Sequence, residues 1–186
     1  GHTVKATQTL NQHDLDTLEM LLHIQREHPV GKRVNFTAHA FLKALGRGVS
    51  GADHKDLHDD LTRLAMATVE IRWENTRRSY VGSLVAGIAR DEDTEAYSLL
   101  FNEDMMRLYD AGSTQFSWAQ RKQLGRNNLA KYLQVFYASH EVPFPMKIQT
   151  MRSLSGSTSP LKEFKRMLKT ALDKLLSVGF LSSWSI

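Results

Sequence analysis

Four cations, Lys162, Lys165, Arg166 and Lys169, recur at helical spacing beside an apolar series, Leu161, Phe164, Leu168, Ala171, Leu172, Leu175 and Leu176. That spacing predicts one amphipathic helix whose N-terminal half is basic on its outer side. Lys and Arg neutralise phosphates, and Arg can grip guanine through two hydrogen bonds. A helix presenting such side chains at its N-terminal end is what reading a DNA major groove requires. Ser157, Thr158 and Ser159 precede it, where hydroxyls and backbone N–H groups can hold a phosphate. Lys147, Arg152, Arg121, Lys122, Arg126 and Lys131 are further candidates for phosphate binding. The bland alternative is an ordinary solvated helix face, so the surrounding elements must decide.

Other chemistries find less support. His54 and His58 lie four apart, a spacing zinc can use, but Lys55 stands where a metalloprotease helix carries Glu. No metal site is expected. Residues 46–51 read Gly-Arg-Gly-Val-Ser-Gly, with no Gly-Lys-Ser/Thr, so they are not a nucleotide-binding loop. There is no Gly-x-Ser-x-Gly elbow. No His-x-His pair stands beside a Tyr, which argues against a DNA-nicking enzyme. Cys is absent, removing thiolate zinc sites, disulfides and Cys nucleophiles. Tyr132 and Tyr137 sit in an apolar helix and read as core. The acidic run 91–95 reads as a solvated turn. Neither a catalytic site nor a cofactor is expected.

Charge is divided unevenly along the 186 residues. Residues 1–110 carry 13 Lys and Arg against 17 Asp and Glu, net −4; residues 111–186 carry 11 against 3, net +8. The second half suits a polyanion, and the first has a different task. With 41% hydrophobic residues, the chain can bury one sizeable core or two small ones. No apolar run approaches ~18 residues, so no membrane span is expected. The chain opens on Gly1-His2 rather than Met, which reads as a tag remnant, and a longer natural chain is expected.

The elements that must position these residues follow from periodicity. Residues 14–27 read as a helix through Leu15, Leu18, Leu21, Leu22 and Ile24. A short strand at 32–37 leads to a helix at Ala38–Leu45 capped by Thr37, a Gly-marked turn, and a longer helix at 53–67. Val69, Ile71 and Trp73 then alternate with polar residues as a strand. A basic turn 75–78, a returning strand 80–88, the acidic turn and a third strand Ala96–Phe101 follow, then a helix from 102 or 103 to 109. Residues 110–113 form the expected boundary. Beyond it come a helix from 127 or 128 to 139, a helix at 147–154, a long helix at 160–178 entered through a Ser159 cap with Pro160, and a final strand at 180–186.

The two halves read as a diverged repeat at an offset of about 110 residues. Residues 41–46 correspond to 151–156, and 69–73 to 180–184. Helix, strand, short helix, Gly-bearing turn, long helix, strand is the order of a winged helix, with a helix-turn-helix at its centre. The expected fold is therefore α+β and helix-rich: two tandem winged-helix (helix-turn-helix) domains, residues 1–112 and 113–186. In the first, Asp53, Asp56, Asp59 and Asp60 make the long helix acidic, so it would repel phosphates. Its DNA candidates are instead Arg72, Arg77 and Arg78, on the wing. Exposed hairpin charge is an equal reading of those three, and its strands also suit protein contacts.

The segments 129–133, 139–140, 154–156, 161–172, 179–180 and 184–186 together resemble the C-terminal half of TrfA-type plasmid replication initiators. That resemblance implies binding of repeated origin sites (iterons) on double-stranded DNA through two winged-helix domains. It implies opening of an adjacent AT-rich segment, including single-stranded DNA there, and recruitment of the host initiator and helicase. Monomers would be active, in equilibrium with homodimers formed largely through the first domain. A host sliding-clamp contact is a further implication, but Gln123-Leu124-Gly125-Arg126 lacks the aromatic end of such a motif. Sequence-specific reading is expected of the second domain, and dimerisation with backbone contacts of the first. A bacterial cytoplasmic location follows from the resemblance. Two other readings stay open: a transcriptional regulator of similar fold acting at one operator, and a protein-interaction module of a replication complex.

Overall fold

The computed structural model describes residues 2–7, 9–73, 77–110, 116–140 and 144–186. The chain is mixed α+β, about half helical, and divides into two compact units, Gly1–Gly112 and Ser113–Ile186. Parts of the expected basic turn (75–76), the expected boundary (111–113) and Pro143 lie outside the described residues.

In the first unit, Asn11 starts α1 (Gln12–Gln25) with a capping box: its side chain accepts from the Asp14 amide while Asp14 accepts from the Asn11 amide. After β2 (Val34–Thr37), the Thr37 hydroxyl caps α2 (Ala38–Leu45) at the Ala40 amide. Gly46 then ends α2 in the left-handed region, at φ 73°. Ser50 and Asp53 form a second capping box that opens α3 (Gly51–Met66). Leu21 and Leu22 of α1, Phe41, Leu42 and Leu45 of α2, and Leu57, Leu61 and Leu64 of α3 are buried together with Val34, Tyr97 and Leu99 of the sheet.

A cluster of charges ties the three helices together. Asp60 on α3 accepts from Arg47 at 2.6 Å and from the Thr17 hydroxyl of α1 at 3.3 Å, and pairs with Arg63. Arg63 also bonds the buried Asp14 at 2.9–3.0 Å, an interaction that raises its pKa further above the ordinary guanidinium value. Arg47 reaches the His13 carbonyl at 3.0 Å. The acidic face expected of α3 is thus thinned. Asp60 is buried and neutralised and Asp53 serves the cap, leaving Asp56 and Asp59 exposed.

The strands form two sheets. One has the order β1-β3-β4, from β1 (His2–Ala6), β3 (Thr68–Trp73) and β4 (Arg78–Ser83); the other has the order β2-β6-β5, from β5 (Val85–Asp91) and β6 (Ala96–Phe101). All pairings are antiparallel. The single returning strand expected at 80–88 is therefore two strands in different sheets. Leu84 forms a bend between the two strands, and it and Val85 are both buried. The chain crosses between sheets there, with the Leu84 amide held by the Ala67 carbonyl. Strand β1 was not expected from the sequence; its pairing, Val4 with Ile71, joins residues far apart in the chain. The turn between β5 and β6 is closed by Asp91, whose carboxylate accepts from the Asp93 and Thr94 amides and is held below the usual carboxylate range, chiefly by the Thr94 bond. The unit ends in α4 (Glu103–Asp110).

The second unit contains α5 (Trp118–Gln123), α6 (Asn128–Ala138), α7 (Ile148–Leu154) and α8 (Leu161–Ser177). Its core combines Leu124, Ala130, Leu133 and Met151 with Phe164, Leu168, Ala171, Leu172 and Leu175 of α8. The final strand expected at 180–186 is absent. No strand exists among the described residues of this unit to pair with it, so Phe180, Leu181 and Trp184 dock on the core instead and the Trp184 indole donates to Asp173 at 3.1 Å. Ser159 does not cap α8: the N-cap is Pro160, without a side-chain bond. Helix α5 was likewise not expected from the sequence.

The helix ends at Gly46 and Gly156 close in the same way. The Arg47 amide bonds the Leu42 carbonyl past Gly46, and the Ser157 amide bonds the Arg152 carbonyl past Gly156, at φ 69°. A Cβ on Gly156 would meet open space, so only backbone strain opposes a side chain there. Gly156→Ala should therefore cost about 1–2 kcal/mol, the left-handed penalty, read as a lower midpoint in urea unfolding. An unchanged midpoint would mean that this turn is not left-handed in solution.

Candidate nucleic-acid interface

Helix α8 buries Phe164, Leu168, Ala171, Leu172 and Leu175 and leaves Lys162, Lys165, Arg166 and Lys169 exposed. These four share its N-terminal half, where the amphipathic spacing puts them outward. Arg166 is held by Glu163 one turn earlier, through bonds of 2.6 and 3.2 Å. The Arg166 hydrogen bonds hold the Glu163 carboxyl below its usual range, and Arg166 rises in return.

The turn before α8 is built by Gly156 and by Arg152, whose guanidinium donates to the Thr158 carbonyl at 3.3 Å. Arg152 is thus half-buried as a brace of this turn, while Thr158 is exposed. Ser159 is half-buried, its amide bonded to the Ser157 hydroxyl. Lys147 is exposed at the N-cap of α7. Lys122 and Arg126 are exposed as well. Two other residues expected to bind phosphate are corrected: Arg121 and Lys131 are buried, with Arg121 donating to the Lys131 carbonyl at 2.7 Å and lying 5.2 Å over the Phe116 ring. Charge alone suggested them; the missing signal was α5, which turns Arg121 inward. Gln149, Thr150 and Ser153 are exposed on α7, which packs beside α8; carrying no charge, they gave no signal in the sequence.

In the first unit, Arg72 stands on β3 and Arg77 in the turn before β4, both exposed; Arg78 opens β4, and its side chain lies outside the described residues. Arg72 pairs with Glu70 at 2.5 Å. Their hairpin belongs to the β1-β3-β4 sheet, whereas the strand that follows α1 is paired to β6, whose own hairpin carries the acidic turn. Arg72, Arg77 and Arg78, expected on the wing, thus belong to the β3–β4 pair and not to the β5–β6 hairpin.

His54 and His58 turn to different partners. His54 faces Glu95 at 2.7 Å and His58 the Tyr97 hydroxyl at 3.2 Å, so each fastens α3 to the β5–β6 hairpin. Among the described residues no group of three potential ligands gathers, and no helix is long and apolar enough to cross a membrane. Tyr132 and Tyr137 pack against the second core, and burial pushes both phenols up, away from the phenolate a nucleophile would need.

Comparison with known proteins places this geometry. The plasmid replication initiator protein TrfA of Escherichia coli is 23% identical over 167 residues, covering 87% of this chain and 43% of that protein. The chain thus spans less than half the length of that relative. Two crystal structures of RctB share the fold. One, of domains 2-3, has a TM-score of 0.65 at 16% identity, covering 94% of this chain and 72% of that one. The other, of selenomethionine derivatives of domains 2 and 3, has a TM-score of 0.66 at 16% identity, covering 94% and 73%. A family model described as TrfA protein matches residues 4–185, almost the whole sequence, and the chain belongs to the TrfA family.

Proposed function

We propose that this chain is the DNA-binding part of a plasmid replication initiator, which binds repeated origin sites on double-stranded DNA, promotes opening of the neighbouring AT-rich segment and has no catalytic site of its own. The carrying observation is the exposed series Lys162, Lys165, Arg166 and Lys169 at the N-terminal half of α8, directly after α7 and its left-handed Gly156 turn. In this reading α7-turn-α8 is a helix-turn-helix whose second helix enters the major groove. Lys147, Thr158 and Ser159 contact the backbone, and Arg152 shapes the turn. The order α1-β2-α2-α3-β5-β6, with sheet order β2-β6-β5, supports a winged helix for residues 1–112. Residues 113–186 correspond to its three-helix core, α6-α7-α8. Host initiator, helicase and sliding clamp as partners, and a monomer–dimer equilibrium through the first unit, complete the proposal from the family resemblance.

Cleavage-protection footprinting on the plasmid's own origin tests this reading. Several regularly spaced protected segments are expected. One protected operator upstream of a gene would favour a transcriptional regulator, and no protection would favour a protein-interaction module. The Arg72, Arg77 and Arg78 hairpin is assigned a phosphate-binding role. Arg77 occupies φ 53°, and Ala retains the same backbone cost, so Arg77→Ala isolates the charge. It should reduce the salt slope by about 0.9 and leave site preference intact. A change in the preferred sequence would mean that the hairpin reads bases.

A further inference from the structure

We propose that Glu163 is a positioning residue for sequence reading: it holds the Arg166 guanidinium in the orientation that grips guanine. The inference rests on α8 being the reading helix. Its starting point is a contrast between the two repeats. In α3 the acid at the third helical position, Asp53, closes a capping box, accepting from the Ser50 amide at 2.8 Å and the Ser50 hydroxyl at 2.5 Å. Glu163 occupies the matching place in α8, but there the N-cap is Pro160, which has no N–H to offer. The carboxylate is thereby released from capping and turns to Arg166, bonding both Nε at 3.2 Å and Nη2 at 2.6 Å. The residue matching Arg166 in the first repeat is Asp56, so α3 places no guanidinium one turn after its own third-position acid.

Folding does not account for this pair. An exposed pair one turn apart contributes little stability, and Arg166 is 72% exposed. The carboxylate also adds a negative charge to a helix half whose other charged side chains are Lys162, Lys165, Arg166 and Lys169, which weakens its attraction to phosphate. What it supplies is order. Arg has several rotatable bonds, and a bidentate grip on guanine requires its planar fork at a fixed angle. A carboxylate on Nε and one terminal nitrogen restrains that fork before DNA arrives, lowering the entropic cost of binding.

The test uses the full chain and a duplex enriched from a randomised pool by the unmodified protein, with a scrambled duplex as reference, over a salt series. Failure to enrich any duplex would overturn the DNA-reading assignment itself. Arg166→Ala should lower selectivity by roughly tenfold to a hundredfold, as one bidentate guanine pair contributes. Glu163→Gln should bind the scrambled duplex more tightly, with a salt slope steeper by about one, yet lose about tenfold in selectivity for the enriched duplex. Structural damage would lower both affinities together, so opposite movement is the signature. In the Arg166→Ala background, Glu163→Gln should change selectivity no further. If Glu163→Gln keeps full selectivity while Arg166→Ala loses it, Glu163 positions nothing and the helix assignment stands. If Arg166→Ala keeps full selectivity, the positioning role falls along with the reading role of Arg166.

Discussion

Asp60→Asn is expected to destabilise the first unit by about 3 kcal/mol. Asn has nearly the shape of Asp, so the substitution leaves no cavity and tests charge and hydrogen bonding alone. Asp60 is the acceptor on which Arg47, Arg63 and Thr17 converge, and its side chain is only 4% exposed. Removing one partner of a buried ionic cluster costs about 3–5 kcal/mol, because the remaining charges stay desolvated without compensation. The lower end applies: Arg63 is about a third exposed, and water screens part of the loss. Against a typical stability of about 5–15 kcal/mol, this is a large fraction. Urea unfolding followed by far-UV circular dichroism measures it. A change below about 1 kcal/mol would mean that apolar packing of α1, α2 and α3 suffices and the charges are incidental.

The second large effect concerns binding. Lys165→Ala combined with Arg166→Ala should weaken specific DNA binding by roughly 1–3 kcal/mol for each base-reading side chain removed. Both side chains are exposed and neither belongs to the core. Ala favours the helix at both places, so folding should survive. Affinity for scrambled duplex should fall less, since phosphate attraction weakens there but no base reading is at stake. Unchanged specific affinity, with intact helicity, would remove α8 as the reading element.

Much of this architecture was written locally. Thr37 before an apolar run announced α2 and its bounds, and Leu57, Leu61 and Leu64 announced α3. The acidic turn 91–95 announced the strand that follows it, β6. The match of Gly46 to Gly156 reflects one backbone requirement, a left-handed stop, that leaves a mark in sequence. What stayed hidden depends on distant partners. Strand β1 exists through its pairing with β3, and the change of sheet at Leu84 depends on what lies on either side of it. Residues 180–186 have strand-like composition but, among the described residues of their unit, no strand to pair with. The same holds for charge. Lys165 and Arg121 are both cations in sequence, yet α8 turns one outward and α5 buries the other. Asp60 looked like exposed acidity and is a buried hub.

Fluorescence-anisotropy titration decides whether the chain reads DNA sequence. The full chain is titrated against labelled duplex carrying the origin repeat and against a scrambled duplex, across a salt series. Binding to the repeat is expected to be tight, at least ~10³-fold tighter than to the scrambled duplex, with affinity falling steeply as salt rises. Equal, weak binding to both duplexes would contradict it.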